Sequence, residues 1–167
     1  MLRSILSILV LTLLIVACNT TTDKDIYDLA QQKYTDENYP ETLQEYERLI
    51  KEFPETQYRA KALFEIGKLY HGEVVKSLTK EQNLNKGINY YKKVYNEFPD
   101  SAYAPNSLFM IGFILANELQ ELDSARFYYN KFIASYPDNE MVLSAKAEIE
   151  NLGVSAEEIL KRKDIQE

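Results

Sequence analysis

Residues 53–67 read Phe53-Pro54-Glu55-Thr56-Gln57-Tyr58 and then Leu63-Phe64-Glu65-Ile66-Gly67. Residues 98–112 read Phe98-Pro99-Asp100-Ser101-Ala102-Tyr103 and then Leu108-Phe109-Met110-Ile111-Gly112. The two stretches are one sentence at a constant offset of 45 positions, with Phe, Pro, Tyr, Leu, Phe, Ile and Gly matching outright. A third copy fades after Tyr136-Pro137-Asp138. Self-similarity at such a period marks stacked helical hairpins, each unable to bury its apolar face alone. It moves the expectation from an enclosed catalytic pocket towards an extended interaction surface.

In every copy the proline follows an aromatic at the end of an amphipathic run. Proline cannot continue a helix and disfavours helical geometry in the residue before it, so Pro54, Pro99 and Pro137 mark helix ends. Thr56 and Ser101 then stand where an N-cap is wanted. Apolar residues between these marks recur at three and four without sustained alternation, which predicts helices and requires no strand. Seven main helices are expected, near 25–36, 40–53, 57–75, 83–98, 102–118, 122–136 and 139–151. Pro40 suits the first turn of the second. The stretch 71–86 reads as an insertion within one hairpin, the third helix overrunning and a loop following near 79–85. Leu152-Gly153 supplies a stop. Ser155 with Glu158 forms a capping box for a short last helix in the 152–167 tail, closed by Lys161, Arg162 and Lys163, whose charge suits its C-terminal dipole.

Over roughly 25–151 the chain resembles the tetratricopeptide repeat family. The family's first helix carries a large residue, Leu, Gly or Ala, and Tyr at fixed spacing. Here Leu63, Ile66, Gly67 and Tyr70 fill those places in the second hairpin, and Leu108, Ile111, Gly112 and Leu115 in the third. The first hairpin offers Ile26, Leu29 and Ala30, with Tyr34 one step late. The second helix supplies Thr42, Gly87 and Ala125 as short residues and Tyr46, Tyr91 and Tyr129 as aromatics. The resemblance implies an all-α, right-handed superhelical solenoid of about three hairpins (25–54, 57–99, 102–137) plus a capping helix at 139–151. Leu49, Val94 and Phe132 depart from the family's later small position, and the loop after each Pro is longer than usual. A subclass of bacterial envelope lipoproteins shares both departures. It includes the BamD-like lipoproteins of outer-membrane β-barrel assembly, which carry more hairpins, and the periplasmic division coordinator.

The N-terminus reads as an address. Residues 1–17 hold one charge, Arg3, and a short apolar run from Ile5 to Val16, less than the about 20 residues that a spanning helix needs. The run ends Ile15-Val16-Ala17-Cys18, which resembles a bacterial lipobox. That resemblance implies a lipid on Cys18, the single cysteine of the chain, with no other cofactor. Several acyl chains together anchor stably. Asn19 after the cysteine suggests the outer membrane, periplasmic side, and 18–24 reads as lipidated cysteine plus polar tether. A lone cysteine excludes an internal disulfide framework. Without Arg3 there are 18 basic against 26 acidic residues, a net charge of about −8, which argues against nucleic acid as a partner.

In such solenoids the first helix of each hairpin lines the concave face. The family's groove positions fall on Tyr27, Gln31 and Tyr34; on Lys61, Phe64, Lys68 and His71; and on Asn106, Phe109, Phe113 and Asn117. Aromatics flanked by Lys and Asn suit an extended or helical peptide with an acidic or amide component. Phe64 and Phe109 stand where the carboxylate clamp of chaperone-binding relatives wants Asn or Lys. His71 is the single histidine, read as a solvent-facing helix end. No Cys/His set offers metal ligands, and no phosphate loop or nucleophile elbow is present. Glu residues are expected to pair along helices, as Glu47 with Lys51.

The expectation is therefore a non-catalytic scaffold in the outer membrane that binds another envelope protein or peptide and no small-molecule substrate. Its narrower forms are a β-barrel assembly accessory and a division or peptidoglycan-linked adaptor. A self-associating structural lipoprotein is the alternative of a different class.

Overall fold

The structure, a computed structural model, describes residues 21–155 with 157, 158 and 161. The leader at 1–17, Cys18 and most of the expected last helix lie outside the described residues. The described residues form seven α-helices and no strand: α1 Asp23–Thr35, α2 Tyr39–Glu52, α3 Arg59–His71, α4 Lys80–Glu97, α5 Ala104–Asn117, α6 Leu122–Ser135 and α7 Val142–Asn151. They pair in chain order as three hairpins, α1 with α2, α3 with α4 and α5 with α6, and α7 packs on α6. This is the architecture of an all-α helical-repeat solenoid.

A turn follows each of the three hairpins, the last leading to α7, and all three share one backbone hydrogen-bond pattern. Phe53, Phe98 and Tyr136 each close the preceding helix, donating to Leu49, Val94 and Phe132 at 2.9 Å. The amides of Thr56, Ser101 and Asn139 then bond back to those aromatics, and Arg59, Ala104 and Val142 bond back to Thr56, Ser101 and Asn139. The third copy fades in sequence but not in shape. Thr56 and Ser101 do not cap helices, as the sequence suggested. The capping positions are Tyr58 and Tyr103, which make no side-chain cap bond. Thr56 is spent elsewhere: its hydroxyl donates to Asp23 Oδ2 at 2.6 Å and accepts from the Tyr58 amide.

The insertion is placed differently from expectation. α3 stops at His71, and the loop is 72–79. Glu73 adopts φ 55°, the left-handed geometry that ends a helix. Thr79 Oγ1 accepts from the Gln82 amide while Gln82 Oε1 accepts from the Thr79 amide, a capping box that starts α4 before its apolar stripe begins. Val74, Val75 and Leu78 fold back onto the first hairpin's core.

Tyr46, Tyr91 and Tyr129, in register on α2, α4 and α6, are fully buried. Each fills the space between its own hairpin and the next. Room for the rings comes from the facing helices. A Cβ on Gly67 would stand 2.7 Å from Tyr91 Cε1, and one on Gly112 2.8 Å from Tyr129 Cδ1. Gly87 brings α4 against α3, its missing Cβ lying 3.1 Å from the Gly67 carbonyl oxygen. Glu47 does not turn to Lys51. It accepts from the hydroxyls of Tyr70 at 3.0 Å and Tyr90 at 3.4 Å, tying α2 to α3 and α4.

Candidate functional site

A cavity of about 510 Å³ opens between α3 and α5. Its walls are apolar. Phe64 and Tyr91 form one side, Phe109, Met110 and Met141 the other, and Lys68, His71 and Asn106 stand at the edge. Helical spacing produces this arrangement: Phe64, Lys68 and His71 follow at four and three along α3, so they share one face. Asn106, Phe109 and Met110 do the same on α5.

The aromatic walls are held by a recurring contact across consecutive hairpins. Tyr27 of α1 stacks on Tyr58 of the following turn, centroids 4.2 Å apart and planes within 14°. One hairpin on, Phe64 packs on Tyr103 at 5.5 Å. One further, Phe109 and Met141 border the same cavity. A thioether thus takes the place that the first two turns give to a phenol. Phe64 also leans on Tyr91, and Phe109 meets Tyr129 and Phe132 edge-on. Both phenylalanines are half-buried, each with one face in the core and one in the cavity.

Five of the expected groove residues meet here: Phe64, Lys68, His71, Asn106 and Phe109. Phe113 lies beside them, edge-on to His71 with centroids 6.3 Å apart. Tyr34 lines a smaller neighbouring cavity of about 200 Å³, which shares Lys68. Lys68 Nζ sits 5.4 Å above the Tyr34 ring and 6.0 Å above Phe64, and bonds Glu65 at 2.7 Å.

The remaining positions are occupied otherwise. Gln31 donates to the Tyr46 hydroxyl, so its amide is spent on the core. Lys61 donates to the Tyr27 hydroxyl and lies over its ring, which raises the Lys61 pKa. Asn117 bonds the Phe113 carbonyl and faces a separate polar cavity near Leu152. His71 is not solvent-facing: its Nε2 contacts Glu118 Oε1 at 2.5 Å, and Lys80 approaches the other carboxylate oxygen at 3.0 Å. One carboxylate at the end of α5 therefore joins the end of α3 to the start of α4.

Tyr91, Met110 and Met141 were not anticipated. Met141 was legible in principle, because it stands five residues after Tyr136, as Tyr58 does after Phe53 and Tyr103 after Phe98. Tyr91 was read only as a core aromatic.

Among the described residues no group of three His, Cys, Asp or Glu side chains could hold a metal. None of the described helices is long and apolar enough to cross a membrane. Residues 106–139, which run from α5 through α6 and into the third turn, match the tetratricopeptide repeat model. No curated protein matches the chain. The matched segment is the third hairpin of the stack, and the two hairpins before it repeat the same helix-pair architecture.

Proposed function

We propose that this protein is a non-catalytic scaffold, lipid-anchored through Cys18 on the periplasmic side of a bacterial outer membrane, which holds another envelope protein between α3 and α5. The observation that carries the reading is the cavity itself. Phe64 and Phe109 keep one face each out of the core, in an apolar space edged by Lys68 and Asn106. Large aromatics at the centre of a concave surface are where binding energy concentrates. The anchor rests on Ile15-Val16-Ala17-Cys18 and on the absence of any other cysteine from the sequence.

A role as accessory to β-barrel assembly, of the BamD-like kind, fits the shared departures at Leu49, Val94 and Phe132 in the second helix of each hairpin and in the loop after each Pro. A division or peptidoglycan-linked adaptor fits them equally. A photo-crosslinker placed at Phe113 in living cells tests the scaffold: it should trap one envelope protein, and trapping only cytoplasmic or no proteins would refute it. Cys18→Ala should move the protein from the membrane fraction to the soluble one; retention would refute the anchor.

One observation favours a second reading. Leu143 on α7 is 77 % exposed and Phe127 on α6 is 59 % exposed. A self-associating structural lipoprotein would cover them, and the concentration dependence of the mass in detergent decides between the two.

A further inference from the structure

Charge is spread unevenly over the helices. The whole chain holds 26 acidic against 19 basic residues, a net charge of −7. On α4, however, no acidic residue falls between Glu81 and Glu97, while Lys86, Lys92 and Lys93 do. On α6 none follows Asp123, while Lys131 does. Salt screens charge over about 8 Å at physiological ionic strength. A neighbouring surface therefore responds to the side it meets, not to the total.

Aromatic rings hold these four lysines in place. Lys86 Nζ lies 5.0 Å from the centre of the Tyr70 ring, and Lys93 Nζ 4.8 Å from that of Tyr90. Between α4 and α6 the pairing is reciprocal. Lys92 of α4 lies 5.5 Å over Tyr128 of α6, and Lys131 of α6 lies 4.2 Å over Tyr95 of α4. The Tyr95 hydroxyl also meets Ser135 Oγ at 3.4 Å. The two helices thus present one joined surface. A ring orients an ammonium group without neutralising it. Among the described residues none of the four lysines is in an ion pair. Lys93 stands two positions from Tyr91, about 200° around the helix, so the surface lies away from the cavity that Tyr91 borders.

The same surface carries Phe127, 59 % exposed and edge-on to Tyr128. Lysines beside exposed aromatics suit a charged bilayer, where ammonium groups meet headgroup phosphates and rings enter the interfacial zone. Proximity comes from the anchor. Asp23, the first residue of α1, is five positions after Cys18, a reach of at most about 18 Å. Resting on the lipid-anchor reading, we propose that the outer face of α4 and α6 is a membrane-docking surface for anionic phospholipid. Lys86, Lys92, Lys93 and Lys131 meet the phosphates, Phe127 enters among the headgroups, and the cavity between α3 and α5 stays open to a partner.

The test uses the lipidated full protein in vesicles of phosphatidylcholine, alone or mixed with phosphatidylglycerol. The chain has no tryptophan, so Phe127→Trp places a single reporter on the face, read by quenching from brominated acyl chains. Quenching should be strong with phosphatidylglycerol, weak without it, and lost at high salt. Lys86→Gln with Lys93→Gln should cut the ratio of docked to undocked protein about thirtyfold. Both side chains are exposed, so circular dichroism should show the helices intact. Equal quenching in the two kinds of vesicle, or quenching that survives loss of the two lysines, would overturn the proposal. So would an unquenched reporter on both, with a crosslinker at Lys93 trapping an acidic protein or a second copy, since a protein would then cover the face. The mass of the purified protein separately shows whether Cys18 carries lipid. If it does not, the anchor reading fails, and quenching of the unanchored chain on phosphatidylglycerol vesicles still decides the face.

Discussion

Gly67 lies against the ring of Tyr91 so closely that a methyl group on its Cα would stand 2.7 Å from Cε1 and 2.9 Å from Cδ1. Tyr91 is fully buried, so its packed ring would have to be displaced to make room. Gly67→Ala gains helix propensity of about 1 kcal/mol and meets an overpacking cost of about 1–3 kcal/mol. A net loss of about 1 kcal/mol is expected by denaturant unfolding. Gly72→Ala is the control. Its Cβ would sit 3.4 Å from the nearest atom, an ordinary contact, and stability should hardly move.

Tyr46 and Tyr129 should respond to loss of the hydroxyl in opposite ways. Tyr46→Phe removes the bond from Gln31 and should cost about 1 kcal/mol. Tyr129→Phe removes a hydroxyl with no partner and should stabilise by about 1 kcal/mol. In a domain of this size each change corresponds to about 2–4 °C in melting temperature, read by calorimetry.

Acid should loosen the junction of α3, α4 and α5. Burial alone would raise the Glu118 carboxyl, but hydrogen bonds from His71 and Lys80 outweigh it and hold the group below its ordinary 4.5. A carboxyl depressed in the folded state stabilises above its unfolded value and loses that contribution as pH falls through the folded one. The contribution should be complete at pH 6 to 7, as follows from an ordinary value of 4.5, and vanish progressively below that value. Glu118→Gln should flatten this part of the profile of stability against pH.

Alkali should act through the tyrosines. Burial pushes the hydroxyls of Tyr46, Tyr70, Tyr91 and Tyr129 far above their ordinary 10.0, and Tyr90 to about 12 with the help of Glu47. A raised group stabilises fully below its unfolded value and loses this as pH rises through the folded one. Stability should fall from about pH 10 upward. Phenolate absorbance should show these rings ionising together with unfolding, whereas exposed tyrosines titrate before it.

The helices were legible because Pro54, Pro99 and Pro137 punctuate a clean three-four spacing. The repeat also led to Phe64 and Phe109 as cavity walls. Thr56 and Ser101 misled, because a hydroxyl after a proline looks like a cap, and only the three-dimensional turn shows the helix starting three residues later. The start of α4 was missed because Thr79 and Gln82 cap it ahead of any apolar residue. Gln31, Lys61 and His71 share a face with the groove, but their partners, Tyr46, Tyr27 and Glu118, come from other helices. No periodicity within one helix reports such cross-helix pairings. Tyr91 was hidden by its twin role, packing with its ring while lining the cavity.

Every pair of helices in extensive contact is consecutive along the chain. Such local topology lets assembly proceed in order of appearance, because no early helix waits for a distant one. A chain extruded from its N-terminus completes α1 and α2 before α3 exists. The same order exposes a weakness. Ala125 and Tyr129 belong to the core cluster that Ala145 of α7 helps to complete. A chain broken off after α6 would carry a fresh apolar flank, the kind of surface that chaperones and proteases recognise. The ten-residue helix Val142–Asn151 thus keeps that flank out of their reach.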